Sequence, residues 1–324
     1  MSSLPEASPN PIPPDMRDAL ARFGGEADDI VASFLATLGA QLPPLIFHYT
    51  NDVGLRGILE SGQLWLTDIF SLNDPSELSH GLSHAVNILS NKASTGPPES
   101  KIFAADIAAF IQQGGIRKSG HYFMCSLSSN GDDLGQWRAY ADNGRGYALG
   151  FDAKALEDAF AKHGGGPMLK AFPITYNDSA LIEMHRRMID RMFGLISLPR
   201  GKQLNSGAVK EYIADLSTLL IVHALHAALH FKHEAYRNEA EYRLLQIHGV
   251  DKPPPEAKLR VRAYSLIKYR EFHWRSAGAA TLRKIVVGPA ADFEKASQFA
   301  KDCLTLPSQG TVEITRSEIP YRAV

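Results

Sequence analysis

The stretch Asn238-Glu239-Ala240-Glu241-Tyr242-Arg243 leads into an apolar run that ends at Ile247. Its period-two alternation predicts a β-strand over 241–247, with Glu239, Glu241 and Arg243 on one face and roughly 7 Å between successive side chains. Two carboxylates at this distance raise each other's pKa, whereas a neighbouring arginine favours the charged form of a carboxylate. The stretch therefore predicts either a chemically active carboxylate pair or a solvated row of ion pairs on a half-exposed strand.

The rest of the chain intersperses short strands with helices but shows no regular βαβ period. Further strands are predicted over 45–49, 64–67, 122–127, 147–151, 168–176, 260–263 and 283–287. Helices are predicted over 15–38, 53–60, 77–90, 102–112, 134–141, 153–162, 180–196, 208–230 and 293–303. No internal repeat and no glycine-rich dinucleotide fingerprint is present. These patterns predict an α+β fold with mixed sheets and added helices, and they disfavour a doubly wound parallel sheet.

Composition and the positions of proline residues indicate how the chain is organised. Five prolines in the first fourteen residues predict a disordered tail over 1–14. An amino-terminal helical segment over 15–44 follows, and a single α+β domain over 45–324 carries a helical insertion at about 178–232. With 44% hydrophobic and 21% charged residues, the chain can bury a sizeable core.

Charge and cysteine usage give no support to several classes of partner and site. Lysine and arginine total 34 against 35 acidic residues, so no summed charge attracts nucleic acid or an anionic membrane. Cys125 and Cys303 are the only cysteines, which makes neither a disulfide framework nor a thiolate metal cluster. No signal sequence or bilayer-spanning run is apparent, and we expect a cytoplasmic protein without a membrane anchor.

Polar residues near the first predicted strand form the first candidate site. In Phe47-His48-Tyr49-Thr50, alternation places His48 and Thr50 on one face and the aromatic residues on the other. Such a polar pair can face a ligand, although a histidine bonded to a backbone carbonyl at a strand edge explains it equally well.

A second polar motif, Asn73-Asp74-Pro75-Ser76-Glu77, precedes a predicted helix. Asn73 or Asp74 can cap that helix, and a proline suits its first turn. The same side chains could instead line a cleft beside His48.

A third motif combines Ser126 and Ser128, on one face of a predicted strand, with Trp137 and Tyr140. The two aromatic residues are three positions apart, so a helix would place them on the same side. Aromatic residues at this spacing belong to a core more often than to a ligand platform.

Histidines recur at helical spacing, but their pattern does not predict a metal centre. His80 and His84 are four apart, and His223, His226, His230 and His233 follow one another along a predicted helix and its end. The carboxylates or thiolates that usually complete a zinc site are not interleaved with them. We therefore expect no metal, and we expect chelation to change neither the fold nor an activity.

Taken together, these motifs and their order resemble a known family. They are His48-Tyr49-Thr50, the segment 72–77, Ser126-Leu127-Ser128, Trp137-Arg138-Ala139-Tyr140, Gly146, Phe231-Lys232-His233, Glu239-Ala240-Glu241-Tyr242-Arg243 and Ile285-Val286-Val287-Gly288. From about Leu45 to Tyr321 the chain resembles the bacterial domain-of-unknown-function family 2971. That resemblance implies no settled activity.

More distantly, the motifs resemble those of ADP-ribosyltransferases, whose fold carries a His or Arg on an early strand, an aromatic or Ser-x-Ser element on a middle strand and a Glu-x-Glu on a late strand. This resemblance implies NAD as substrate, with Glu239, Glu241 and His48 as catalytic candidates. It also implies a ligand pocket, whose candidate residues are His48, Tyr49, Thr50, Asn73, Asp74, Ser126, Ser128, Trp137 and Tyr140. The chain departs from the family pattern in that Arg243 follows the Glu-x-Glu and His48 occurs together with a Ser-x-Ser element.

The expected function is therefore transfer of ADP-ribose from NAD to an unknown macromolecular or small-molecule acceptor, as in a bacterial toxin or phage-defence effector. Two alternatives remain open from the residues. The first is a non-catalytic module that binds a nucleotide or a protein, and the second is a hydrolase that uses Glu239 and Glu241 as an acid and base pair.

Overall fold

The computed structural model describes residues 12–37, 42–71, 75–164, 168–249, 257–278, 281–304 and 311–322. The described chain has the expected α+β composition, with helices and a mixed sheet. It forms two compact units, each built from three separate chain segments. The first unit takes its described residues from Met1–Gly39, Ser76–Ser119 and Asn177–Lys232. The second takes its described residues from Ala40–Pro75, Gly120–Tyr176 and His233–Val324.

The secondary-structure elements follow the predicted order closely. Helices are α1 (Pro14–Thr37), α2 (Asp52–Ser61), α3 (Pro75–Ser94), α4 (Pro98–Gln112), α5 (Leu134–Tyr140), α6 (Ala153–His163), α7 (Asp178–Phe193), α8 (Ser206–Ala228) and α9 (Phe293–Leu304). Strands are β1 (Leu45–Thr50), β2 (Gln63–Asp68), β3 (Gly120–Ser128), β4 (Tyr147–Asp152), β5 (Met168–Pro173), β6 (Glu241–Gly249), β7 (Lys258–Arg262), β8 (Ser265–His273), β9 (Leu282–Val287) and β10 (Glu313–Arg316). Strands β8 and β10 are absent from the sequence-based prediction.

The β1-α2-β2 segment shows how local sequence sets these boundaries. The side chain of Asn51 accepts a hydrogen bond from the backbone N–H of Gly54, which caps the start of α2. Gly62 ends the helix in the left-handed conformation, at φ 66° and ψ 28°. A residue without a Cβ adopts that conformation at little cost, so β2 begins at the next residue.

The strands all lie in the second unit and form one ten-stranded sheet with the order β10-β9-β4-β1-β3-β2-β8-β7. Strand β6 pairs with both β3 and β5 off this path. Strands β9 and β10 are parallel, and the other recorded pairs are antiparallel. Strand β3 therefore lies in the middle of the sheet and pairs with three strands, β1, β2 and β6.

Adjacent residues of β1 enter two different apolar clusters. Ile46 is fully buried in a large cluster with Leu149 and Phe151. Phe47 and Tyr49 belong instead to a smaller cluster that also holds Trp137. This alternation agrees with the predicted placement of the aromatic residues on one face of the strand.

Helix α3 begins at Pro75, which confirms the expected proline in its first turn. Asn73 and Asp74 lie outside the described residues, as does most of the predicted tail over 1–14. Among the helices that the structure describes, none has the length and apolar character to span a bilayer.

Candidate functional site

The strands that carry His48, the Ser-x-Ser element and Glu241 are neighbours in the sheet. Strand β1 pairs with β3 at Phe47 and Ser128, and β3 pairs with β6 along its whole length. Ser128 lies opposite Glu241, and Ser126 lies opposite Arg243. Residues directly opposed in an antiparallel pair share a face, so these four side chains emerge on the same face of β3 and β6.

The other edge of β3 is shared by two strands that separate from each other. Strand β1 pairs with β3 at Ser128, whereas β2 pairs with it at Met124 and Phe123. Because β6 occupies the opposite edge throughout, β1 and β2 must diverge around Ser126. We call this place the strand fork and define it by His48, Trp65, Thr67, Ser126 and Arg260.

His48 reaches the strand fork from β1. Burial lowers the pKa of its imidazole to about 4, a hydrogen bond to the backbone of Ser126 partly offsets that effect, and nearby Arg260 adds to it. Its Nδ1 atom is buried and has no hydrogen-bond partner among the described residues. The lowered pKa favours the neutral imidazole near pH 7, in which one ring nitrogen is an acceptor.

Arg260 and Trp65 complete the strand fork, although neither was identified from the sequence. The Arg260 guanidinium lies 5.7 Å from the Trp65 ring centroid, and its Nη2 lies 3.4 Å from Thr67 Oγ1. Its Nε atom is buried and has no partner among the described residues. Trp65 is 44% exposed and packs on Tyr269 at 4.3 Å between ring centroids. An exposed indole beside a cation offers a stacking surface and an anion contact to a ligand.

A signal for these two residues exists in the sequence. Arg260 and Arg262 alternate with apolar residues in β7, which places both cations on the same face of the strand. Trp65 interrupts the buried pattern of β2, since its neighbours Leu64 and Leu66 are fully buried. An aromatic residue at the exposed position of a strand is a better ligand candidate than one in the core.

The two serines of β3 differ in accessibility. Ser126 is exposed at the strand fork. Ser128 is 1% exposed, and its Oγ donates a hydrogen bond of 2.7 Å to the Glu239 carbonyl while accepting one of 3.0 Å from the Asn130 N–H. Ser128 therefore fixes the start of β6 against β3, whereas Ser126 has room to meet a ligand.

Glu241 is held by an ion pair within its own strand. Arg243 Nε and Nη2 donate to the two carboxylate oxygens at 2.8 and 3.0 Å. The side chains of Arg243 and Glu241 are only 1% and 5% exposed. The Glu241 backbone N–H also donates to the Tyr176 hydroxyl at 2.9 Å. This bidentate geometry orients the carboxylate and excludes water from it.

The prediction that Glu239 shares a strand face with Glu241 and Arg243 is wrong. That residue ends a 3₁₀ helix over Glu234–Glu239, and Ala240 follows in the left-handed region at φ 43°. The strand begins only at Glu241, so the period-two alternation does not extend back to Glu239. The sequence could not reveal this because an alanine rarely adopts that conformation.

Two of the aromatic candidates, Tyr49 and Trp137, are buried. Tyr49 is 6% exposed and meets Trp137 edge-on at 4.8 Å, while its hydroxyl donates to the Asn130 carbonyl at 2.9 Å. Trp137 is fully buried, and its Nε1 donates to Asp132 at 2.7 Å. In this conformation both are packed in the core.

Trp137 and Tyr140 lie in the same short helix and differ in exposure. Tyr140 is 41% exposed and is the last residue of α5, after which Ala141 leaves the helical conformation. Thr50, at the end of β1, is 9% exposed and lies so close to Gly54 that a Cβ there would approach its Oγ1 to 1.9 Å. His48 contacts the backbone of Ser126, although Phe47 and not His48 shares the face of the Ser126 side chain. Tyr140 is not part of the core cluster that holds Trp137.

Cys125 precedes Ser126 in β3 and lacks the exposure and the low pKa that are typical of reactive thiols. It is 4% exposed, and burial, with a smaller contribution from Glu241, raises the pKa of its thiol to about 12. The thiolate form is therefore scarce at neutral pH.

Comparison with known proteins adds one finding. No curated protein sequence and no solved structure shows significant similarity to the chain. The segment that runs from α5 into β6, over residues 136–244, includes Glu241 and Arg243 and matches the family model described as "Protein of unknown function (DUF2971)".

Proposed function

We propose that the protein binds NAD at the strand fork and transfers ADP-ribose to an acceptor, in the manner of an ADP-ribosyltransferase-like fold. The observation that carries the proposal is the adjacency of β1, β3 and β6, which bear His48, the Ser-x-Ser element and Glu241. The support is that the three motifs lie on adjacent strands of one sheet; because Phe47 pairs with Ser128, His48 projects from the opposite face to Ser128 and Glu241.

The chemistry requires a carboxylate near the ribose. The bond between ribose C1′ and the nicotinamide nitrogen breaks, and nicotinamide leaves with the electron pair. The sugar passes through an oxocarbenium-like cation, which an oriented carboxylate stabilises. The acceptor nucleophile then bonds to C1′ and loses its proton. Glu241 is the carboxylate assigned to this role, and Arg243 is the residue that orients it.

The residues of the strand fork suit the rest of the ligand. The exposed Trp65 ring offers a stacking surface for an aromatic base or nicotinamide. The unpartnered nitrogens of Arg260 and His48 suit phosphate and ribose oxygens.

The ion pair of Glu241 favours a second candidate function, a non-catalytic nucleotide-binding module. A carboxylate that is 5% exposed and already bonded at both oxygens acts as a structural group unless the pair opens. In such a module the strand fork would bind the nucleotide and no bond would break.

Glu241→Gln distinguishes the two functions, because it conserves the shape of the side chain and removes its charge. If Glu241 stabilises the transition state, NAD affinity survives and nicotinamide release per folded molecule falls by roughly 10² or more. The measurements are NAD titration calorimetry, nicotinamide release with cell lysate as acceptor, and melting temperature on the same preparations. Glu183→Gln, which removes an exposed ion-paired carboxylate, is the control. Wild-type protein that binds NAD and releases no nicotinamide would support the binding module instead.

A further inference from the structure

A cluster of metal-ligating side chains lies within the first unit, apart from the residues used above. His80, His84 and Asp178 each offer one ligand atom, and these atoms all lie within 4.8 Å of one another. The three residues are partly buried. We call them the His-His-Asp cluster.

Two helices build the His-His-Asp cluster. His80 and His84 are four apart on α3, so they project from the same side of that helix. Asp178 is the first residue of α7, where Asn177 caps the helix by accepting from the N–H groups of Ser179 and Ala180. Sequence spacing reveals the histidine pair alone, because the carboxylate comes from a distant part of the chain.

The distances suit a small divalent ion. In a tetrahedral sphere with metal–ligand bonds of about 2 Å, ligand atoms lie roughly 3.3 Å apart. His80 Nε2 and Asp178 Oδ2 are already 3.3 Å apart. The two imidazole rings are 4.8 Å apart between centroids, with an angle of 81° between their planes. The ligand atoms lie within 4.8 Å of one another, so side-chain rotations would have to close a gap of at most about 1.5 Å.

His84 supplies an independent indication of a ligand. Its Nε2 atom is buried and has no hydrogen-bond partner among the described residues. A buried nitrogen without a partner costs free energy, and a metal ion bound there would remove that cost.

The helices that carry the cluster are also held firmly together. His185, which is 1% exposed on α7, lies with its Nε2 3.1 Å from the Gly81 carbonyl on α3. A Cβ on Gly81 would approach the Ala228 Cβ to 2.7 Å, so α3 and α8 are in close contact at this residue. A preorganised backbone of this kind keeps ligands in position when no ion is bound.

We propose that the His-His-Asp cluster is a binding site for a divalent first-row transition ion of the Zn²⁺ type, with a further coordination position open. Two imidazoles favour such an ion over Mg²⁺ or Ca²⁺, which prefer oxygen ligands. This site departs from the expectation, based on sequence alone, that the protein needs no metal. It is independent of the proposed NAD chemistry.

The test uses full-length protein that has been stripped with a chelator and then titrated with Zn²⁺ against a chromophoric competitor. We expect one ion per chain, with affinity reduced at least 100-fold in His84→Gln and in Asp178→Asn. The substitution His163→Gln removes an exposed histidine at the end of α6 and should leave affinity unchanged. Zn²⁺ should also raise the melting temperature of the wild type and not that of the two cluster variants.

Asp178→Asn conserves the shape of the side chain, and circular dichroism establishes that each variant is folded before titration. The proposal is overturned if the wild type binds no stoichiometric Zn²⁺. It is equally overturned if the two cluster variants bind Zn²⁺ as tightly as His163→Gln does.

Discussion

The β3–β6 ladder and the His-His-Asp cluster differ in how fully their buried polar atoms are hydrogen-bonded. In the ladder, Arg243 meets both oxygens of Glu241, and Ser128 is bonded on both sides. In the cluster, a buried nitrogen of His84 has no partner among the described residues. The most conspicuous motif of the sequence is thus internally satisfied, whereas the inconspicuous His84 has a buried nitrogen that no described residue bonds.

Removing the arginine of the ladder should have the largest effect on stability. Arg243→Met removes the bidentate cation from the buried Glu241 carboxylate, and the free energy of unfolding should fall by about 3–5 kcal/mol. Urea denaturation measures this change. Arg186→Met, which breaks an exposed ion pair with Glu183, should cost less than about 1 kcal/mol. Equal losses in the two variants would show that the ladder pair is no more important than a surface contact.

The stability of the protein should depend on pH through His48 in the strand fork more than through an exposed histidine. Burial lowers the pKa of His48 to about 4 from an ordinary value of 6.5, so between these values the unfolded chain binds a proton that the folded chain does not. The stability contributed by neutral His48 is therefore complete above about pH 6.5 and is lost as the pH falls towards 4.

His48→Gln should accordingly reduce the loss of unfolding free energy between pH 7 and pH 5 by roughly 2 kcal/mol. Urea denaturation at the two pH values measures it. His185 and His248, whose pKa values burial also lowers to about 4, share the direction and remain in both proteins. The exposed His163→Gln serves as the control, and an unchanged pH dependence in His48→Gln would contradict the burial of the imidazole.

The smallest effect should come from the cluster when no metal is present. His84→Gln removes no hydrogen bond from the buried Nε2, so the free energy of unfolding of chelated protein should change by less than about 1 kcal/mol. The difference from wild type should appear only after Zn²⁺ is added. A loss of several kcal/mol in chelated protein would mean that His84 has a structural role.

Much of the fold follows from local sequence signals. The boundaries of α2 follow from the Asn51 cap and Gly62, and α3 begins at the expected proline. Strand β8 was missed because its alternation is short: Lys268 and Arg270 alternate with Ile267 and Tyr269, but the pattern ends at Glu271-Phe272. The short β10 owes its existence to parallel pairing with β9, which no local pattern encodes.

The candidate site was less predictable than the fold. The sequence indicates His48 and Glu241, but it does not reveal that Arg243 closes on Glu241 in a nearly dry environment. The left-handed Ala240 separates Glu239 from the strand, which defeats the alternation argument. Alternation along β7 singles out Arg260, but its contact with Thr67, like the contact of Asp178 with His80, is tertiary and is not encoded by spacing.

The division of each unit into three chain segments has a consequence for synthesis on the ribosome. The second unit opens with β1, yet β6 pairs with β3 only after the whole of the first unit's last segment, which ends at Lys232, has been translated. During synthesis, the edge of β3 that will bind β6 therefore remains unpaired, and an unpaired edge can associate with strands of other chains. For the same reason neither unit can be expressed as an uninterrupted fragment, and isolating one requires joining three pieces of chain with two designed linkers.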